Sequence, residues 1–496
     1  MRVAILLPFY PLLRQVFRQI KGLEAPSRPE VAADYQQFMG IRILVCFGYL
    51  IPEASSWCKT GFCCCPPGCI ALSLNRISLW GCFMFSSLEM STGARRLTSL
   101  DLFAGAGGLS EGLREAGFTT LYANEISPRY AQTYAANHPA TQVDSRDIRK
   151  VDARKVRKLL GLKRGELDLI AGGPPCQGFS INAPKRSTED SRNHLFREYL
   201  RFVTEFQPRA VLIENVPGMV SFEGGATLDA ILESLKQLGY DADVQILYAP
   251  HYGVPQTRWR TIILGSRCGV DPTALFPEPL RQAPVRVNFT SQFAGKNLVN
   301  LPRSLELPSH VTVKDAIGDL PALRNGEIGE PVKDYWHPAD NPYQQLMRAG
   351  STGVTCHEAA RLSKINLERM THIPPGGNWT NIPDALLPRG MRMARRSDHT
   401  KRYGRVNPDG LASTILTKCD PHWGAYFHYE QDRAFTVREA ARIQSFPDTY
   451  VFCGSRVEQY EQVGNAVPPL LGAAVGRAIA HVLGNVRKTE RKVGVA

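Results

Sequence analysis

Residues 97–109 read Leu97-Thr98-Ser99-Leu100-Asp101-Leu102-Phe103-Ala104-Gly105-Ala106-Gly107-Gly108-Leu109, an apolar run that breaks into glycines and then opens an amphipathic stretch. That order describes a strand, a tight turn and the start of a helix, with glycines where the backbone must reverse sharply or let a ligand come close. The same rhythm repeats outward. TTLYANE (119–125), LDLIAGG (167–173), AVLIENV (210–216) and TIILG (261–265) are further apolar runs of strand length. Strands separated by helix-length segments imply right-handed crossovers and a parallel sheet, so the fold class is α/β. Glu125 ends the second run, about 20 positions after the glycine turn, where an acid can bind ribose hydroxyls. Turn and acid together suit a dinucleotide, a flavin or S-adenosylmethionine.

The chain has 496 residues, with 59 Lys and Arg against 46 Asp and Glu, a formal net charge of +13. At ~100–200 residues per domain this length gives two or three units, and the charge favours a polyanionic partner. Hydrophobic residues at 43% and charged residues at 21% describe an ordinary soluble protein. The longest early apolar run, Phe38 to Ile51, contains Arg42 and falls short of the ~20 residues of a membrane span. A secretory signal is not expected, because prolines interrupt AILLPFYPLL (4–13). Of the 12 cysteines, only Cys176, Cys268, Cys356, Cys419 and Cys453 lie beyond residue 90, which suggests a reducing, cytoplasmic setting. The cluster from Cys63 to Cys69 lacks the paired spacing and histidines of a zinc site. Residues 1–89 are therefore read as a dispensable extension, disordered or a mis-assigned start, with Met90 as the natural one.

Beyond Val270 the pattern turns irregular and proline-rich until about Phe435, too long for a loop. The expected organisation is an extension (1–89), a catalytic and cofactor-binding domain (90–270), a second, irregular domain (271–435), a closing segment whose helix returns to the first domain (436–485), and a basic tail (486–496). Arg389, Arg392, Arg395, Arg396, Lys401, Arg402 and Arg405 form the densest basic patch of the second domain, suited to phosphate contact. The earlier basic stretch from Arg146 to Arg164 is read as a solvated helix face.

Chemistry concentrates at strand ends. Cys176, in GGPPCQGFS (172–180), follows a strand where open α/β sheets place ligands, on a turn stiffened by prolines, and is a candidate nucleophile. Glu214 stands just past another strand. Arg258 and Arg260, at alternate positions entering TIILG, are expected to point the same way and jointly anchor an anionic or carbonyl-bearing group.

In this order the motifs DLFAGAGGLS, GGPPCQGFS, ENV, QTRWR, REAARIQSFPD and GNAVPP resemble those of the cytosine-C5 DNA methyltransferase family, of the bacterial restriction-modification type. The likeness spans about 97–270 and 435–485, and the irregular domain falls where that family keeps its target-recognition region. It implies a Rossmann-like, S-adenosylmethionine-dependent methyltransferase domain that transfers a methyl group to C5 of a cytosine flipped out of double-stranded DNA. By the resemblance Cys176 adds to C6, Glu214 holds or protonates N3, Arg260 reaches O2 and Arg258 braces the pocket. The cofactor residues it implies are Phe103, Ala104, Gly105, Gly107, Gly108, Leu109, Glu125, Asp147 with Ile148, Pro175, Asn465 and Val467; spacing does not separate Asp147 from Asp144. The implied DNA contacts are Gln177, Ser180 and Thr414, with Arg395, Arg396, Lys401 and Arg402 on the phosphates. No metal is expected. A monomer without membrane attachment follows, with a companion restriction endonuclease acting on the same site. The alternatives are cytosine-5 methylation of transfer RNA, an NAD-dependent oxidoreductase that would leave three motifs unexplained, and a catalytically dead DNA-binding protein.

Overall fold

The computed structural model describes residues 96–493 except 176–194, 305, 329, 330, 419, 421 and 423, with side chains to residue 486. The readings of residues 1–89, of Cys176, Gln177 and Ser180, and of the tail side chains lie outside the described residues. The described residues cluster as one compact unit.

The first half supplies β1 (Leu97–Leu102), α1 (Gly108–Glu115), β2 (Phe118–Asn124), α2 (Pro128–Asn137), β3 (Gln142–Asp144), α3 (Ala153–Leu159), β4 (Leu169–Gly172), α4 (Leu195–Phe206), β5 (Ala210–Asn215), α5 (Ala226–Gln237), β6 (Asp241–Tyr248), β7 (Gln256–Thr257) and β8 (Trp259–Ser266). Seven of these strands form one sheet in the order β3-β2-β1-β4-β5-β8-β6. Its central strands read as unbroken apolar runs because both faces are covered. On one face Leu100, Leu102, Ile170, Val211 and Ile213 pack with Phe202 and Phe206 of α4 and Ile231 of α5. On the other, Leu169, Ala171, Leu212 and Leu264 pack with Leu109 and Leu113 of α1.

One strand corrects the expected all-parallel sheet. β1 to β5 are parallel neighbours, but β8 runs antiparallel to both β5 and β6. The link from β6 to β8 is too short to carry a crossover helix, and a parallel return needs about a dozen residues or more. Its start therefore comes to the edge where the parallel strands end.

The second half holds α6 (Val313–Ile317), α7 (Pro342–Arg348), α8 (Lys364–Thr371), α9 (Arg389–Arg392), α10 (Val437–Ile443), α11 (Arg456–Asn465) and α12 (Pro469–Val493). Apolar side chains of α6, α7 and α10 share one core with Phe446, Tyr450 and Phe452, while Met370, Trp379, Tyr403 and Phe427 form another. Every residue of α10 is buried, its charged ones included, so each needs partners. Arg433 pairs with Glu439 at 2.6 Å, and Arg442 lies between Asp319 at 2.9 Å and Asp448 at 2.6 Å. Residues 456–486 are long and apolar enough to cross a membrane by composition; in the fold Leu471, Val475, Ile479 and Leu483 of α12 pack on α1 and the sheet.

Candidate active site

Register gathers the sequence motifs at one rim. Leu102 is opposite Asn124 of β2 and Gly172 of β4, and Gly172 is opposite Ile213 of β5. The segments that follow these residues, 103–109, 125–127, 173–175 and 214–216, therefore leave the sheet side by side. Because β8 is antiparallel, with Thr261 facing Asn215, Arg260 arrives at the same rim.

The glycine loop is held from below. Ala104 N–H donates to Asn124 O at 3.0 Å, and Gly105 N–H donates to Glu125 Oε2 at 2.8 Å. The second oxygen, Glu125 Oε1, accepts from Ser127 N–H at 2.8 Å. Each carboxylate oxygen keeps acceptor capacity beyond these bonds, and burial pushes the Glu125 pKa up. Phe103 has φ 60, a conformation costly for a bulky residue. Nothing lies within 4 Å of where a Gly105 Cβ would be, so the loop leaves open space above it. That space and the adjacent carboxylate fit a ligand bearing hydroxyl groups.

The neighbouring acids have different partners. Asp144 accepts from Tyr122 Oη at 2.9 Å and pairs with Arg146. Asp147 accepts from Arg149 N–H at 3.0 Å and pairs with the Arg149 side chain, while Ile148 is buried. From the closing segment, Asn465 Nδ2 is 3.4 Å from Tyr130 Oη, and the Val467 carbonyl lies against Gly108.

Gly173, Glu214 and Arg260 meet beside this loop. Arg260 Nε and Glu214 Oε1 are 2.5 Å apart, with side chains only 12% and 14% exposed. Burial pulls the Arg260 pKa down and the Glu214 charge opposes it. A Cβ added to Gly173 would lie 3.0 Å from Glu214 Oε2, so the absence of a side chain there makes room for the carboxylate. Asn215 Nδ2 donates to Pro174 O at 3.2 Å, tying the segment that leads to residue 176 onto the end of β5. Pro175 is exposed.

Arg258 corrects the shared-anchor expectation. It sits in the break between β7 and β8, where strand alternation does not apply. Fully buried, it donates to Ile415 O at 3.1 Å, Gly464 O at 2.8 Å and Ala466 O at 3.0 Å. Arg258 thus braces two backbone segments while Arg260 faces Glu214. The residues sequence reasoning missed stand next to it. Gln256 Nε2 donates to Ile443 O at 2.9 Å and to Gln444 Oε1. Its Oε1 accepts from Ile415 N–H at 3.0 Å, and Gln444 Nε2 donates to Ala466 O at 2.6 Å. Both glutamines lie inside quoted motifs, which is the signal that could have found them.

Thr414 lies beside the end of β7, its Oγ1 donating to Thr257 O at 2.5 Å. Within the basic patch Arg395 and Lys401 are exposed and Arg402 is half-buried. Arg396 pairs with Asp384 at 2.5 Å and covers the Trp379 ring at 5.4 Å. Arg405 does not belong to the patch: it is buried and donates to Ile373, His428 and Met370 carbonyls, a placement composition does not reveal. Arg146, Arg149 and Arg164 are exposed and paired with acids, while Arg157 pairs with Glu205 in a partly buried setting.

Fold and site together define a Rossmann-like α/β enzyme with a ligand cradle at the ends of β1 and β2 and a carboxylate–guanidinium pair at the ends of β5 and β8. The profile of the family described as C-5 cytosine-specific DNA methylase matches residues 97–481. The chain is 36% identical over 433 residues to the Type II methyltransferase M.AgeI of Thalassovita gelatinovora, covering 77% of this chain and 99% of that protein. It is 35% identical to the Type II methyltransferase M1.HphI of Haemophilus parahaemolyticus, covering 77% and 86%. A solved structure of a prophage-encoded DNA modification methyltransferase from E. coli aligns with TM-score 0.59 at 24% identity, over 78% of this chain and 99% of that one, and shares the fold. The chain belongs to the C-5 cytosine-specific DNA methylase family. It is a DNA (cytosine-5)-methyltransferase, of a family that uses S-adenosylmethionine.

Proposed function

We propose that this chain methylates C5 of cytosine within a specific sequence of double-stranded DNA, with Cys176 as nucleophile and Glu214 and Arg260 as the groups that hold the base. The observation supporting this most directly is the partly buried Glu214–Arg260 pair standing against Gly173, three residues before Cys176. Bound S-adenosylmethionine supplies an electrophilic methyl group. Residues 103–109 would hold it with Glu125 at its ribose, Asp147 and Ile148 at its adenine, and Pro175, Asn465 and Val467 closing over it. Cytosine C5 is a poor nucleophile, so the Cys176 thiolate adds to C6 and C5 becomes enamine-like. Glu214 keeps a proton at N3, so negative charge does not build on the ring, and Arg260 donates to O2. After C5 is alkylated a base such as water takes its proton, the C5–C6 double bond reforms and the C6–S bond breaks to expel the thiolate.

The target atom is stacked in the duplex, so the base is rotated out at a cost of a few kcal/mol. In this reading residues 271–435 form the recognition domain beside the catalytic domain of 90–270 and the closing segment of 436–485. Gln177, Ser180 and Thr414 contact the DNA near the flipped nucleotide, and Arg395, Arg396, Lys401 and Arg402 contact phosphates. The enzyme works as a monomer in the cytoplasm, beside a restriction endonuclease of the same specificity.

The test is methylation of random-sequence duplex DNA with base-resolution mapping of 5-methylcytosine, with transfer RNA as a second substrate. A 5-fluorocytosine duplex should become covalently attached at Cys176 in the presence of methyl donor. Methylation of transfer RNA but not DNA, or no attachment at position 176, overturns the proposal.

A further inference from the structure

The segment from Pro447 to Cys453 lies between the buried helix α10 and the cofactor rim, and polar contacts fasten it on both sides. Toward the rim, Tyr450 Oη donates to Ala106 O at 2.5 Å and lies 3.3 Å from His138 Nε2. Val451 exchanges two hydrogen bonds with the Asn137 side chain, at 2.8 and 2.9 Å. Cys453 N–H donates to Thr133 Oγ1 at 2.8 Å. These contacts lay the strap along α2 and across the glycine loop. On the other side Arg438 Nη2 donates to Tyr450 O at 2.8 Å while the same guanidinium holds Thr355 and Pro447. Asp448 N–H donates to Met347 O at 2.7 Å.

The fit around the loop is tight. Gly107 has φ 91, and a Cβ there would sit 2.6 Å from Tyr450 Oη and 3.0 Å from His138 Nε2. Tyr450 is only 2% exposed, so the carbonyl it satisfies has little access to water. A buried carbonyl that loses its donor pays a desolvation penalty unless the backbone turns to find another. The hydroxyl therefore fixes which way the 106–107 peptide faces, in the middle of the loop that cradles the donor.

We propose that Tyr450 is a positioning residue for the methyl-donor site, orienting the glycine loop through the Ala106 carbonyl. The inference rests on the reading that residues 103–109 hold the donor. It is tested with Tyr450→Phe, which keeps the ring and removes only the hydroxyl. The probe is S-adenosylhomocysteine, titrated calorimetrically without DNA, beside steady-state kinetics. Loss of one such hydrogen bond is expected to raise the Kd for S-adenosylhomocysteine and the KM for the donor about three- to ten-fold. At saturating substrates kcat and the KM for DNA stay within about two-fold, a split that general loosening of the fold would not give. Unchanged affinity for S-adenosylhomocysteine in the folded variant overturns the proposal, as does an equal loss of donor and DNA affinity.

Glu125→Ala separates the two possible failures. If it also binds S-adenosylhomocysteine like the parent, the donor has been placed wrongly. If it loses affinity while Tyr450→Phe does not, the placement stands and the role of Tyr450 falls. Should Tyr450→Phe melt below the assay temperature, Asn137→Ala, which frees the same strap from α2, is expected to weaken binding in the same direction, and an unchanged Kd overturns the proposal.

Discussion

Glu214 and Arg260 meet at 2.5 Å because the strand carrying the arginine runs against the strand carrying the acid. Had β8 been parallel, its start would lie at the opposite edge of the sheet and Arg260 would be a strand's length away. Neither charge is left alone in its partly buried setting, where an unpaired ion is costly.

Replacing Glu214 by Gln keeps the shape and removes the proton exchange. General acid help is typically worth about 10²- to 10⁴-fold, so kcat for transfer of a labelled methyl group should fall by that much. Affinity for S-adenosylhomocysteine should hold within about two-fold, since Glu214 does not line the donor cradle.

Gly173→Ala places a methyl group 3.0 Å from Glu214 Oε2, closer than ordinary contact, and the carboxylate must move. Misplacement of a reacting group by about an ångström can cost on the order of 10²-fold, and a shift of a few tenths correspondingly less. The variant should lose kcat by about ten-fold or more while its melting temperature changes by less than about 3 °C. A large drop in melting temperature with kcat preserved would contradict the geometry.

Asp101 is fully buried beneath the glycine loop, accepts from Ser110 Oγ at 2.7 Å, and has its pKa pushed up to about 7 by desolvation. The unfolded chain releases that proton near pH 3.9. Folding therefore takes up a proton between these values, and stability falls as pH rises from about 4 to about 7, by at most about 1.4 kcal/mol per unit. Asp101→Asn keeps the acceptor and removes the titration. Urea unfolding across this range should show a smaller decline for the variant than for the parent.

Arg395→Ala and Lys401→Ala should each weaken DNA binding without altering the methylated sequence. Each lost phosphate contact lowers the slope of log K against log salt by about 0.9, measured by fluorescence anisotropy on a labelled duplex. Arg405→Ala should instead destabilise the fold, because its guanidinium ties Met370, Ile373 and His428 together.

The central strands were legible in the sequence because burial on both faces leaves no polar alternation to blur them: Leu169, Ile170, Val211, Leu212 and Ile213 are all 0% exposed. β3 is only three residues long and largely uncovered, and β6 starts exposed, so neither announces itself. The direction of β8 was not legible, since an apolar run carries no arrow. Glu125 and Glu214 could be placed because parallel strands deliver their C-terminal neighbours to one edge. The shared orientation expected of Arg258 and Arg260 fails because strand alternation does not run through the break at residue 258. Tyr450 and Ala106 lie 344 residues apart, and Gln256 and Gln444 lie 188 apart; single long-range contacts leave no period in a sequence. The basic patch was over-counted by Arg405, since composition does not register burial.

Leu109 and Leu113 behind the glycine loop lean on Leu471, Val475 and Ile479 of α12. During synthesis, the first segment of the site leaves the ribosome hundreds of residues before the wall that supports it. A nascent chain stalled in its middle therefore carries the cradle without its backing, and folding waits on a contact of long sequence separation, which slows it. Full backing of the glycine loop therefore waits until α12 has been made.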